Sequence, residues 1–157
     1  MPRVAKEVVS AAIIFGSLLA FSTVASAAEL VNKPLAACLA EKKSVGDVNS
    51  CGKKWKIRSS SARVAADGSV SVEVNGLVLD DTSVGDANGN PDGVDAIAVA
   101  VLCGGKVAAQ ANPVPVSKPD AKFAGKLAVP QNCASPAVVV RERYEGKIGG
   151  WLAGTGQ

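Results

Sequence analysis

The sequence contains no histidine. This absence excludes Ser-His-Asp and Cys-His catalysis, and it excludes histidine-ligated zinc. No Cys-x-x-Cys pair is present, so thiol-redox chemistry is not indicated. Asp80 and Asp81 are a poor acid–base pair, because neighbours in a strand point to opposite faces. We therefore name no catalytic residue and expect a protein that is not an enzyme; a hydrolase that uses carboxylates alone is the remaining enzymatic alternative.

Aromatic residues are also scarce, at 4% of the chain. Binding platforms for sugars or single-stranded nucleic acids usually depend on exposed aromatic faces. Trp55 and Trp151 fall at positions that would point into a core, and Tyr144 lies at a turn. The net charge of +3 is too small to indicate a nucleic-acid partner. We expect no nucleic acid to bind and no cofactor to be needed.

Lysine and arginine are missing between Arg63 and Lys106, a segment that carries seven acidic residues. The basic residues cluster before it, and one group could form an anion-binding strand face or simply a solvated one: Lys53, Lys54, Lys56 and Arg58. Such segregation can create opposed surface potentials that favour self-association or an ionic partner. The alternative is that folding interleaves the two signs of charge.

The N-terminus has the pattern of a secretory signal peptide, with Arg3 and Lys6 before an apolar run from Val8 to Val24. Ala25-Ser26-Ala27 supplies the small residues of a cleavage site, so we predict a signal peptide over 1–27. An uncleaved membrane anchor and a lipoprotein attached through Cys38 are the alternatives. In all other cases we expect no attachment of the protein to a membrane. Cleavage leaves residues 28–157, a suitable length for one secreted domain.

Four cysteines in a secreted chain predict two disulfides, with three possible pairings. We prefer Cys38–Cys51 and Cys103–Cys133, because each pair is nearest in sequence and closes a plausible loop. Either bridge would stabilise the fold by roughly 3 kcal/mol in the chain-entropy model. These cysteines therefore belong to the framework of the fold.

The pattern after residue 54 is that of a β protein. About seven or eight short strands are expected between about residues 54 and 153, separated by turn signals such as Asp67-Gly68 and Gly104-Gly105. The uncharged run Ala96–Cys103 predicts a strand buried on both faces. One short helix is predicted over 34–43, from Pro34 at its first turn and lysines at its end. The predicted fold is mainly β: an antiparallel, immunoglobulin-like β-sandwich with one N-terminal helix.

An acidic, glycine-rich loop offers the one metal hypothesis. Oxygen-bearing side chains at alternating positions resemble the calcium loops of dockerin modules and EF-hands over about ten residues: Asp86, Asn88, Asn90, Asp92 and Asp95. The match is imperfect, since Pro91 occupies the glycine position in one register and Val99 the acidic position in the other. The alternative is a solvated loop whose Asn-Gly and Asp-Gly units turn the chain.

These observations predict a secreted, disulfide-stabilised, non-enzymatic module of the extracellular space or cell envelope, with a structural or interaction role. Its partner would be a protein or cell-surface component, or a second copy of the chain. One alternative is a calcium-stabilised adhesion or matrix module that uses Asp86–Asp95. Another is a proteinaceous enzyme inhibitor that presents a braced loop, such as Asn112–Asp120.

Overall fold

A computed structural model describes residues 27–39, 43–91 and 93–156 of the chain. The predicted signal peptide lies outside these ranges except for its last residue. No helix in the described ranges is long and apolar enough to cross a membrane. The described chain is mainly β, and its strands are β1 (Glu29–Lys33), β2 (Ala36–Ala37), β3 (Trp55–Lys56), β4 (Ser59–Ala65), β5 (Ser69–Asn75), β6 (Val78–Leu79), β7 (Ala96–Cys103), β8 (Lys106–Gln110), β9 (Val114–Pro115), β10 (Ala121–Lys126), β11 (Ala137–Tyr144) and β12 (Lys147–Gly154).

The strands form two larger sheets and a short ribbon. The first sheet has the order β1-β4-β5-β10, and the second has the order β2-β12-β11-β7-β8, with β9 pairing along β7. β3 and β6 form the ribbon. All these pairings are antiparallel. Antiparallel sheets were predicted and are confirmed, while the immunoglobulin-like sandwich stays a prediction.

Turn chemistry explains the hairpins. Between β4 and β5, the Asp67 carboxylate accepts a hydrogen bond from the Ser69 backbone amide at 2.9 Å, and Gly68 has a φ of +83°. Only glycine adopts such a conformation at little cost. Gly104-Gly105 joins β7 to β8 in the same way, again with positive φ at both residues. Both hairpins are confirmed where the sequence predicts them.

β7 lies at the centre of the core. Its residues from Ala96 to Leu102 are all buried, and Cys103 is half-buried, so the predicted strand with two buried faces is confirmed. The strand lies between β11 and, on its other edge, β8 and β9. Valines of the first sheet, such as Val72, belong to the same hydrophobic cluster as Val99 and Val140 of the second. The two sheets therefore share one core.

The predicted helix over 34–43 is wrong where the structure describes it. Ala36–Ala37 forms β2, which pairs with Ala153 and Gly154 of β12. The Cys38 amide then donates to the Leu152 carbonyl at 2.8 Å. Alanine favours helix in isolation, but here the exposed edge of β12 supplies backbone partners that outweigh propensity. Residues 40–42 of the predicted helix lie outside the described ranges.

Both predicted disulfides, Cys38–Cys51 and Cys103–Cys133, are confirmed. The first closes a segment that runs back along β12, where the Trp151 amide donates to the Asn49 carbonyl at 3.0 Å. This segment turns at Gly46, which has a φ of +58°. A Cβ added at Gly46 would overlap the carbonyl oxygen of Gly105, so glycine is required by close approach as well as conformation.

Candidate interaction surface

The predicted basic face meets the start of the acidic loop. β3 pairs with β6, with Trp55 opposite Leu79, and this register places Asp80 beside two lysines. The Asp80 carboxylate lies 3.5 Å from the Lys54 Nζ and 3.4 Å from the Lys56 Nζ. Lys53 and Arg58 are exposed near this ribbon. Because one carboxylate is shared by two lysines, the basic face keeps an excess of positive charge but is partly neutralised.

Folding also interleaves the other charges that the sequence segregates. Ion pairs join Lys122 to Glu73 at 3.8 Å, Lys126 to Asp67 at 3.2 Å, and Arg143 to Asp95 at 3.4 Å. Each pair links an acidic residue of the 64–105 segment to a cation from the C-terminal third. The pairs are exposed and contribute little stability individually. They do favour the interpretation in which the surface carries mixed charge rather than opposed halves.

The acidic loop is organised by its own hydrogen bonds. A short 3₁₀ helix, Thr82–Ala87, begins at Asp81, whose side chain accepts from the Ser83 amide at 2.9 Å. The hydrogen bonds from the Ser83 hydroxyl and amide hold the pKa of the Asp81 carboxyl below its ordinary value. Asn88 closes the loop by accepting from the Asp81 amide at 3.0 Å. The segment is thus an ordered cap rather than an open ligand cradle.

Three of the five predicted calcium ligands use side-chain atoms in other contacts. The Asn88 side-chain oxygen is used by the Asp81 amide, the Asn90 amide group donates to the Asp86 carbonyl at 2.9 Å, and Asp95 pairs with Arg143. Asp92 lies outside the described residues. Among the residues that are described, no cluster of three or more acidic or cysteine side chains is suited to a metal. Calcium binding stays a prediction that these contacts do not favour.

Calcium should therefore leave the stability of the protein unchanged. A site with an affinity typical of extracellular calcium modules would add about 1–2 kcal/mol at about 5 mM calcium. That gain would raise the midpoint of thermal unfolding by several degrees. We expect a shift below about 1 °C by differential scanning calorimetry, with magnesium at equal ionic strength as the control. A calcium-specific rise of several degrees would establish the metal site.

The proposed inhibitory loop, Asn112–Asp120, is held against the body of the protein. Its first half contains β9, which pairs with Ala96 and Ile97 of β7. Its end is fixed by the Asp120 carboxylate, which accepts from the Gly76 amide at 2.8 Å. Inhibitory loops must present several consecutive residues to an enzyme cleft, and these contacts occupy both ends of the segment. The inhibitor hypothesis stays a prediction without support from this geometry.

The carboxyl group of Glu142 has a raised pKa. Burial raises it, although a hydrogen bond at 3.3 Å from the Gly150 amide acts in the opposite direction. Because the folded-state pKa exceeds the unfolded one, stability from this group is lost as pH rises through the folded pKa. The neighbouring Arg141 guanidinium donates to the Gly149 carbonyl and to Gln110. The Glu142 side chain lies against Gly149, where an added Cβ would meet it, and this close contact fits a packing role.

The outer face of the first sheet is an extended exposed surface. Alternation places Ala62, Val64 and Val72 in the core, so their neighbours along each strand point outward. We call this surface the outer face, and its residues are Glu29, Asn32, Ser59, Ser61, Arg63, Ala65, Ser69, Ser71, Glu73, Asn75, Lys122, Ala124 and Lys126. Most are exposed and the rest are half-buried.

The outer face contains a shallow hollow of about 510 Å³. Small side chains of β4, β5 and β10 form its base, among them Ala65, Ser71 and Ala124, and longer ones stand at the borders. Glu29 borders the hollow on β1, and Lys126 borders it on β10. Within the described chain, Arg63 makes no ion pair or side-chain hydrogen bond. The hollow therefore combines a nearly apolar base with charged groups of both signs.

Sequence reasoning missed this surface. The alternation in Ser69–Val74 shows that serines and glutamate face outward, which alone indicates a half-buried strand. The neighbours of those serines across the sheet depend on the pairing of β10 with β5. This pairing joins residues that are distant in sequence, such as Val74 and Ala121. A repeated serine at outward positions was the available signal. It cannot indicate whether another layer covers the face.

Comparison with protein-family models, curated proteins and solved structures finds no match to this chain.

Proposed function

We propose that this chain is a secreted, non-enzymatic module of the extracellular space or cell envelope, which binds its partner through the outer face. The observation that carries the proposal is a four-stranded sheet with one face in the core and the other exposed. A surface on paired strands is rigid, so little conformational entropy is lost when a partner binds. Mixed charge around a small-residue hollow provides specificity for an extended, fairly flat partner.

The setting of this surface supports a role outside the cytoplasm. The two disulfides favour an oxidising compartment. All four cysteines are bridged, so none is available as a nucleophile. The chain also lacks histidine. These features support binding or structural work rather than catalysis.

Site-specific photo-crosslinking in intact secreting cells tests the proposal. A photo-reactive phenylalanine derivative is placed at Ser59 or Ser61 on the outer face, and as a control at Ala108, an exposed position of β8. We expect a discrete adduct from both face positions and little from Ala108. The proposal fails when the face positions give no adduct, or when all three positions give the same adducts at the same yield.

A further inference from the structure

The charges on the outer face are arranged so that the face complements itself. One row across the sheet reads Glu29, Ala65, Ser69 and Lys126, from β1 to β10. Glu29 is opposite Ala65, and Ser69 is opposite Lys126. Ala65 and Ser69 flank the hairpin turn, one step beyond the pairing of Val64 with Val70. The row is therefore negative at one end, small in the middle and positive at the other end.

The next row has a complementary shape. It reads Asn32, Arg63, Ser71 and Ala124 across the same four strands. Arg63 is exposed on β4, while the two positions beyond it, on β5 and β10, are small and line the hollow. A long side chain thus lies on one side of the midline between β4 and β5, and space for such a chain lies on the other.

From these two rows we infer that the outer face binds a second copy of this chain in a two-fold symmetric dimer. This inference rests on the proposed function and identifies its partner. Consider a two-fold axis parallel to the strands, between the opposed faces and above the β4–β5 midline. Rotation about it reverses the order of strands, so that Glu29 faces Lys126 of the second copy. Arg63 then faces Ser71 of the second copy and lies along its hollow.

The symmetry agrees with how proteins pack. In a two-fold interface each surface contacts its own equivalent, so it must be self-complementary. An axis parallel to the strands leaves the two sheets aligned, which is the common arrangement of face-to-face sheets. The arginine stem is apolar and packs on small side chains while its charged end stays hydrated. The interface contains two Glu29–Lys126 pairs and two buried arginine stems.

The ion pair that Lys126 makes with Asp67 within the chain does not prevent this contact. Both side chains are exposed, at 71% and 43%, and exposed ion pairs contribute little net stability. Lys126 lies at one end of the row and Glu29 at the other, about 14 Å apart across three strand spacings. They are too distant to pair within one copy, so each charge is available to the second copy.

The size of the face sets the expected affinity. Four strands over about six residues cover roughly 400 Å² of sheet per copy. Stable complexes bury about 800 Å² of accessible surface per partner. We therefore expect a reversible dimer with a dissociation constant on the order of 10–100 µM. Such an affinity is effective where a secreted protein is concentrated at a surface.

A charge-swap experiment tests the dimer. Sedimentation velocity of the secreted protein, over about 5–500 µM, measures its dimerisation. Glu29→Lys and Lys126→Glu each place like charges opposite each other across the axis, and we expect each to weaken dimerisation at least about tenfold. The double variant restores opposite charges, and we expect it to return to within about threefold of wild type. Lys106→Glu, on exposed β8, makes the same charge change elsewhere and should have no effect.

Two further measurements keep the test decisive. Mass spectrometry shows whether Glu29→Lys, close to the predicted cleavage site, is processed like wild type, and thermal unfolding shows whether each variant folds. Ser71→Arg changes neither an ion pair nor the leader; it fills the space for Arg63 of the second copy and should abolish dimerisation. A wild-type monomer at all concentrations, single variants that dimerise normally, or a double variant that is not restored would each overturn the inference. A face-specific photo-adduct that is not twice the monomer mass would leave the proposed function standing without the dimer.

Discussion

Replacing Cys103 and Cys133 together by alanine is expected to lower the free energy of unfolding by about 2–5 kcal/mol. The bridge joins the end of β7 to the loop before β11, with a separation of 30 residues. In the chain-entropy model, closing a loop of that size removes about 3–4 kcal/mol of conformational freedom from the unfolded chain. The folded contacts around it remain, since the Gly104 amide donates to the Ala134 carbonyl at 2.6 Å.

Urea unfolding under non-reducing conditions measures this loss. The dependence of free energy on urea should also become steeper, because an unfolded chain without the bridge exposes more surface. The variant retains the Cys38–Cys51 bridge, so the difference from wild type measures the contribution of the Cys103–Cys133 bridge alone. A loss below about 1 kcal/mol would show that the bridge adds little to what the β7–β11 pairing already provides.

The second large effect is expected for Trp151→Ala, which should lower the free energy of unfolding by about 3–5 kcal/mol. Trp151 is 1% exposed in β12, and its indole Nε1 donates to the Lys43 carbonyl at 3.0 Å. Alanine would leave a large cavity and break the link between β12 and the segment that covers it. Unfolding in urea gives the free energy, and near-ultraviolet circular dichroism shows whether the fold is retained. A loss under about 2 kcal/mol would mean that this site collapses around the smaller side chain.

The two tryptophans provide a matched comparison for the hydrogen bond. Trp55 is 3% exposed, and its indole Nε1 has no hydrogen-bond partner within the described chain. Trp151→Phe removes a donor that is used, whereas Trp55→Phe removes one that is buried and unsatisfied. We expect the Trp151 change to cost about 1 kcal/mol more, after allowing for similar losses of volume. Equal losses would indicate that the bond to Lys43 contributes nothing net.

The two disulfides, the β character and the position of the central strand could be predicted from sequence for physical reasons. Ala96–Cys103 carries no charged or strongly polar side chain, so neither of its faces is compatible with water. Asp67-Gly68 and Gly104-Gly105 are local signals, because the conformation of a tight turn depends on the residues within it. The chain has no spare thiol if all four cysteines pair, and nearest pairing was the simplest choice.

The helix over 34–43 could not be excluded from sequence, because these residues do favour helix locally. The strand pairing that outweighs this preference involves residues far along the chain. Residues 36 and 37 join the sheet only because the edge of β12, more than a hundred residues later, offers backbone hydrogen bonds. The contacts of the acidic loop also depend on remote residues. Asn88 and Asp95 have the chemistry of calcium ligands, but the amide of Asp81 and the guanidinium of Arg143 engage them in the fold.

The amino-acid sequence by itself determined that this protein is a disulfide-bridged β protein without histidine-based chemistry, since these properties depend on composition and on neighbours along the chain. Only the tertiary structure decided which charges meet and which face stays exposed. Lys54 and Lys56 reach Asp80 because β3 pairs with β6, and Glu29 and Lys126 share a row because four strands align. Pairing between distant strands sets these relations, and the period-two pattern of a single strand carries no information about its neighbours.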